Sequence, residues 1–312
     1  MCEKQAAADF LLAHDNFEIL THANPDGDTL GSGFALCLAL QHLGKNARVI
    51  TTNIPKDFVF LTEGVLAQDF DAQTIVSVDV ADEKLLGDNR DVYSGRIMLC
   101  IDHHCINKVS APLKCVDPEA AANCEILFDI FEKMGVPVEG KIAMCLYTGI
   151  ATDTGCFKYG NTTSRTMRIA ADLLDSGVPA SAINKVMFDT KTKIKLRLEQ
   201  AVYRGMEFYA DDRCAIITIT CDMLRALGAS EEDAEGLANL PREIEGVRMG
   251  ITIREKEDGT FKVSVRSDKE ANAAAFCARF GGGGHTEAAG CRIRGTREEV
   301  LAALKAAVDE TL

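Results

Sequence analysis

No stretch of this chain reaches the roughly 20 consecutive apolar residues that span a bilayer. Its opening residues, MCEKQAAADF, have neither the basic flank nor the apolar segment of a secretory signal. Membrane insertion and export are therefore not expected, and a cytoplasmic location is. Positive charge is also in short supply: 34 Lys and Arg stand against 47 Asp and Glu, a formal net charge of −13. That balance argues against binding long nucleic acid across a broad basic surface, a mode that depends on releasing counterions from many phosphates. Short or singly phosphorylated ligands stay compatible with it. Proline is sparse, at 7 residues, and no repeat or low-complexity segment occurs, which argues against disorder. The 12 cysteines form no CxxC pair and no Cys/His grouping of zinc type. Nor do they have the short spacing of a secreted disulfide framework, so they read as reduced, mostly buried thiols.

What is present suits two ordinary domains, since 312 residues with 47% hydrophobic content can fill a core in each half. The first half alternates β-branched runs with amphipathic segments, the pattern of an α/β unit with a parallel sheet. Strands are expected at 17–22, 47–51, 74–80 and 96–102, with helices at 29–45, 123–134, 141–152 and 164–175. A charged run without turn signals, 190–208, reads as a helical linker. The expected division is therefore 1–189, the linker 190–208, and a smaller α/β unit with a mixed sheet at 209–312. Strands are expected there at 214–220, 247–254 and 261–266, followed by a glycine run and a closing helix at 296–312.

The acidic and imidazole residues share an address. His22, Asp79 and the pair His103 and His104 all fall at or just past the C-terminal ends of expected strands, the edge where open parallel sheets bind ligands. Asp26 and Asp28 follow His22 closely enough for a loop to aim them at the same point, and Asp153 is placed in a turn after an apolar helix. Taken singly, Asp26 and Asp28 read equally well as caps of the helix starting near Thr29, and Asp79 and Asp153 as strand-end and turn residues. Taken together, four converging carboxylates repel by about 4 kcal/mol per pair at 4 Å and an effective dielectric near 20. Something positive is needed among them. Two divalent cations would balance the charge, and the mixture of His and Asp suits Mn²⁺, with Mg²⁺ or another first-row ion also compatible.

The stretch CIDHHCIN, Cys100–Asn107, carries the Asp-His-His motif of the DHH phosphoesterase superfamily, which this chain resembles throughout. HANPDGD (His22–Asp28), SVDVAD (Ser77–Asp82) and ATDTGCFKYGNTTSRT (Ala151–Thr166) resemble its other motifs, in the expected order. The resemblance implies a dinuclear metal site. His22, Asp26 and Asp79 would hold one ion, and Asp28, Asp79, His103 and Asp153 the other, with Asp79 bridging. It also implies that Asp102 orients a histidine and that His104 faces the substrate as a phosphate contact or proton donor.

In the second half, Val263–Gly290 resembles the superfamily's DHH-associated domain of the first type, marked by the glycine-run, His and Ala-Ala-Gly signature. Arg266, Ser267, Gly283, Gly284 and His285 are the substrate-binding candidates this implies. The glycine run is expected to offer close backbone approach and N–H groups leading into a helix, which would favour an anion. Within the superfamily the chain is most similar to compact enzymes that degrade very short oligoribonucleotides to mononucleotides and remove the 3′-phosphate of 3′-phosphoadenosine 5′-phosphate (pAp). Short RNA, pAp or dinucleotides are thus the expected substrates. Hydrolysis of cyclic di-AMP or another cyclic dinucleotide is the nearer alternative, and a non-catalytic nucleotide-binding protein the more distant one. The oligomeric state is not legible, a homodimer being one compatible arrangement.

Overall fold

The structure, a computed structural model, describes residues 3–234 and 236–312. The chain divides into two compact units, the first ending at Thr190 and the second beginning at Lys191.

The first unit is built on five short strands, β1 (Phe17–Leu20), β2 (Ala47–Ile50), β3 (Thr74–Val78), β4 (Leu99–Asp102) and β5 (Leu113–Val116). They form one parallel sheet in the order β2-β1-β3-β4-β5. Every residue of β1, β3 and β4 is buried, as expected of a parallel sheet covered on both faces. The helices are α1 (Glu3–Ala13), α2 (Gly27–His42), the single turn α3 (Arg90–Tyr93), α4 (Asn123–Met134), α5 (Gly140–Asp153), α6 (Ser164–Asp175) and α7 (Ala180–Asn184). α2 lies unusually close to α5 and α4. A Cβ on Gly31 of α2 would sit 2.5 Å from the Cys145 carbonyl oxygen of α5 and 3.2 Å from Cys124 Sγ of α4. That approach carries the start of α2, the start of α4 and the end of α5 to one place. The place is the C-terminal sheet edge where β1, flanked by β2 and β3, marks the change of winding direction.

The second unit contains α8 (Lys193–Arg204), β6 (Glu207–Tyr209), β7 (Cys214–Ile219), α9 (Cys221–Leu227), β8 (Met249–Glu255), β9 (Thr260–Ser267), α10 (Ala273–Ala278), β10 (Gly283–Gly284), β11 (Ala288–Arg294) and α11 (Arg297–Asp309). Its sheet runs β10-β11-β9-β8-β7-β6 and is mixed, with β7 and β8 parallel and the other pairs antiparallel. One face buries Met249, Ile251, Val263 and Val265 with Phe276 of α10 and Leu304 of α11. The helical run expected as a connector forms α8, whose Leu198 and Val202 pack with Ile217 and Ile219 of this unit. No helix among the described residues is long and apolar enough to cross a membrane.

The glycine run departs from expectation. It does not lead into a helix; α10 precedes it, and Gly283 and Gly284 pair with Gly290 and Ala289 in a tight hairpin. The turn is closed by His285 N donating to Ala288 O at 2.8 Å and by Ala288 N donating to His285 O at 3.2 Å. Gly284 has φ +148, and a Cβ there would lie 2.6 Å from Ala288 O. The run is thus needed for strand contact, and no helix N-terminus stands behind it.

Candidate metal centre

Each of the residues at the sheet edge is positioned by backbone that is itself spoken for. Asp26 is the N-cap of α2: its Oδ1 accepts from Asp28 N and Thr29 N, both at 3.1 Å, while its Oδ2 lies 3.6 Å from His22 Nε2. The capping reading of this residue holds, and its second oxygen is left on the side of His22. Asp28 does the same for a different helix. Ala122, the N-cap of α4, has no capping side chain, and the Asp28 carboxylate takes that role from across the fold. It accepts from Asn123 N at 2.6 Å and Cys124 N at 3.0 Å. Asp79, just past β3, has φ +55, an uncommon conformation for a residue with a side chain and one that tends to mark functional positions.

Asp79 is buried, and its Oδ1 has no hydrogen-bond partner. Its two oxygens face two groups: Oδ2 lies 3.7 Å from His22 Nε2, and Oδ1 lies 3.5 Å from His103 Nε2. His103 Nε2 is also 3.5 Å from Asp153 Oδ2 and 3.8 Å from Asp28 Oδ2. The ring's other nitrogen, Nδ1, is 3.3 Å from the Ala120 carbonyl oxygen. That oxygen can only accept, so Nδ1 carries a proton and the Nε2 lone pair is left for a cation. The ligand atoms of His22, Asp26 and Asp79 lie within 4.8 Å of one another, as do those of Asp28, His103 and Asp153. Asp79, His103 and His104 form a further such group, but it uses His104 Nδ1, which Asp102 Oδ1 already holds at 2.8 Å.

The electrostatics describe a site short of positive charge. Burial, reinforced by the Asp79 charge, pushes the Asp28 carboxyl up to about 7. Burial together with Asp28 pushes Asp153 up to about 8. For His22, burial acts downward, but hydrogen bonds to Asp26 and Asp79 outweigh it and raise the imidazole to about 10. For His103, burial is likewise outweighed, by Asp79, Asp28 and Asp153, and the value again rises to about 10. Protons are drawn in where cations would otherwise balance the carboxylates. The donor set, the orphaned Asp79 oxygen and the His103 tautomer all fit divalent metal.

Asp102 and His104 stand beside this cluster. The buried Asp102 accepts from His104 Nδ1 and, at 2.7 Å on its other oxygen, from Asn107 Nδ2. Burial would raise Asp102, but these hydrogen bonds hold it low. The Asp102 hydrogen bond in turn raises His104, whose side chain is 42% exposed and whose Nε2 is the nitrogen left for a ligand. Sequence reasoning missed Asn107, although it lies in the quoted motif, and missed Lys114, which donates to Asn107 Oδ1 at 3.1 Å and carried no signal. Asp153 was expected in a turn; it is the last residue of α5, and Asn161 Nδ2 donates to its carbonyl oxygen at 3.1 Å.

In the second unit, Arg266 Nε donates to Asn239 Oδ1 at 3.1 Å, and Gly283, Gly284 and His285 are exposed at the hairpin. Ser267 is different. Its hydroxyl donates to Thr286 O at 3.1 Å and accepts from Ala273 N at 2.9 Å. Its single O–H is spent on holding the loop.

Comparison with known proteins finds matches to both units. The model of the DHH family, N-terminal domain, matches residues 16–150, and that of the DHHA1 domain matches residues 215–312. The bifunctional oligoribonuclease and PAP phosphatase NrnA of Thermus thermophilus is 33% identical over 284 residues, covering 89% of this chain and 84% of that protein. The cyclic-di-AMP phosphodiesterase PdeA of Listeria monocytogenes is 24% identical over 319 residues, covering 93% of this chain and 46% of that protein. Among solved structures, an exopolyphosphatase-related protein from Bacteroides fragilis superimposes with a TM-score of 0.90 at 25% identity, covering 99% of this chain and 96% of that one. The chain belongs to the DHH phosphoesterase family, in the branch that carries a DHHA1 domain.

Proposed function

We propose that this protein hydrolyses short oligoribonucleotides to mononucleotides and removes the 3′-phosphate of pAp, using two divalent cations, with Mn²⁺ the best fit and Mg²⁺ an alternative. The observation that carries the reading is Asp79, a buried carboxylate whose two oxygens face two separate His/Asp groups. His22, Asp26 and Asp79 would hold one ion; Asp28, Asp79, His103 and Asp153 the other. When bound, such a pair polarises phosphoryl oxygens and lowers the pKa of water.

The chain's own residues do the rest. Asp102, fixed by Asn107, keeps the His104 ring in one orientation and favours its protonated form. His104 then presents Nε2–H to the phosphoryl group, stabilising the added negative charge and donating a proton to the departing oxygen. Arg266 and the exposed backbone of Gly283, Gly284 and His285 hold the nucleotide or its terminal phosphate, and Ser267 keeps that loop in place. The kinship with NrnA favours the linear substrates, whereas PdeA supplies the competing reading, a cyclic dinucleotide. The cysteines among the described residues are free and mostly buried, which suits the reducing cytoplasm. A homodimer is compatible with this reading, which does not depend on it.

The test is Mn²⁺-dependent product release, followed by chromatography, from equal concentrations of pApA, a five-nucleotide RNA, pAp, cyclic di-AMP and pyrophosphate. Fast release from the linear oligonucleotides and pAp is expected. Selective hydrolysis of cyclic di-AMP would move the protein to the cyclic-dinucleotide branch.

A further inference from the structure

The second unit's sheet is covered unevenly. Along β9, Phe261, Val263 and Val265 point into the core with α10 and α11, so Lys262, Ser264 and Arg266 point to the opposite face. Over β8 that face is capped by the turn Leu237–Glu243, tightly enough that a Cβ on Gly250 would meet Arg242 N at 2.8 Å. The turn also reaches the Arg266 end of β9, where Asn239 Oδ1 accepts from Arg266 Nε at 3.1 Å, but its cover ends short of Lys262 and Arg292. The register places Ala288 beside Arg266, Gly290 beside Ser264, and Arg292 beside Lys262. The result is a shallow floor of small residues with Arg266 at one end and Lys262 and Arg292, both exposed, at the other.

Two cations directly opposite each other across an antiparallel pair are unfavourable, and this pair occurs in a chain of formal net charge −13. Asp258 Oδ2 lies 3.4 Å from Arg292 Nη1 and offsets part of that charge. Guarding an open sheet edge is one use of such residues, and it would account for Arg292, which lies beyond the part of β11 that pairs with β10. It does not account for Lys262, because β9 is an interior strand, paired on one side with β11 and on the other with β8.

We infer that the open β9–β11 face is a track for the backbone of a single-stranded oligoribonucleotide, running from Arg266 to the Lys262–Arg292 pair. The inference rests on the function proposed above and assigns the residues that read substrate length. The four-residue step from Arg266 to Lys262 spans about 13 Å of strand, enough for more than one backbone phosphate. The small floor at Ser264, Ala288 and Gly290 lets a sugar-phosphate chain lie close. A dinucleotide or pAp held at Arg266 has no phosphate to place at the far end, whereas a longer oligomer does.

The experiment compares the full-length parent with Lys262→Gln/Arg292→Gln, and with Lys262→Arg/Arg292→Lys as the charge-preserving control. The kcat/KM values for pApA, pAp and a five-nucleotide RNA are measured over a range of salt. The expected result is that the Gln pair leaves pApA and pAp within about twofold and lowers the five-nucleotide value about tenfold, as two partly exposed ion pairs would. Its log–log salt slope should fall by about 0.7 for each phosphate no longer neutralised, and the control should restore both. Equal reductions on all three substrates, or no reduction on any, overturn the track.

Binding of a labelled five-nucleotide RNA to the same proteins in EDTA, by fluorescence anisotropy, separates this inference from the function it rests on. If the parent cleaves none of the substrates yet binds the RNA through Lys262 and Arg292, the proposed activity falls and the track stands. If the parent binds no RNA, or the Gln pair binds it as tightly as the parent, the track falls.

Discussion

At the residue scale, the sheet-edge cluster ties metal binding to pH with a definite sign. Asp28 and Asp153 are raised to about 7 and about 8, and His22 and His103 to about 10, so protons compete with a cation at every one of them. A cation must displace these protons, and affinity therefore grows as pH rises. In the metal-free protein the same raised values mean stability that is complete below the ordinary carboxylate value of 3.8, is lost for the aspartates as pH rises to about 7 and 8, and is lost for the histidines between 6.5 and about 10. The melting-temperature gap between Mn²⁺-loaded and metal-free protein should accordingly widen from pH 6.5 to 8.5. Titration calorimetry in buffers of different ionisation heat should show proton release on binding. A pH-independent gap would remove the cation from the cluster. Much of this cluster was legible beforehand because His22, Asp79 and His103 stand at strand ends and Asp26 and Asp28 follow His22 within one short loop. Asn107 and Lys114 were not legible, because their roles depend on a hydrogen-bond chain reaching back to Asp102, and no spacing rule encodes that.

At the scale of elements, Asp28 and Asp153 contribute to one cluster but differ in what they hold up. Asp28 caps α4 through two backbone N–H groups, whereas the Asp153 side chain ends α5 and is 29% exposed. Both Asp28→Ala and Asp153→Ala should abolish hydrolysis. In urea unfolding of the metal-free proteins, Asp28→Ala should be the less stable of the two by about 1–2 kcal/mol, the usual worth of an N-cap. Equal stabilities would show that the cap does not matter. The helices at 123–134 and 164–175 were read from sequence with their observed bounds, because their apolar spacing is strong. α1 was missed: its buried residues include Ala7 and Ala8, too small to stand out as a stripe. β5, four residues long and only partly buried, left no pattern either. The hairpin at Gly283–Gly284 was misread because a glycine run looks alike whether it frees the backbone for a ligand or for a neighbouring strand.

At the scale of the whole molecule, the residues assigned to metal all belong to the unit ending at Thr190. Hydrogen exchange should therefore register Mn²⁺ first at the C-terminal ends of β1, β3 and β4 and at the starts of α2 and α4. Protection of equal size throughout 191–312, without substrate, would contradict that. The fold class, an α/β unit with a parallel sheet and a second with a mixed sheet, was as expected; the place of the division rested on the charged run 190–208, which packs in the second unit as α8. The crowding of α2 against α5 and α4 was not legible, because it depends on Gly31, whose neighbours are distant in sequence. The double employment of Asp28 also bears on descent. A lineage that gave up hydrolysis could let His22 or Asp153 drift with little harm to folding, yet would still be selected to keep the aspartate that starts α4. Among distant kin, an aspartate at this position testifies to a shared architecture, and His22 with Asp153 is the better witness to a working enzyme.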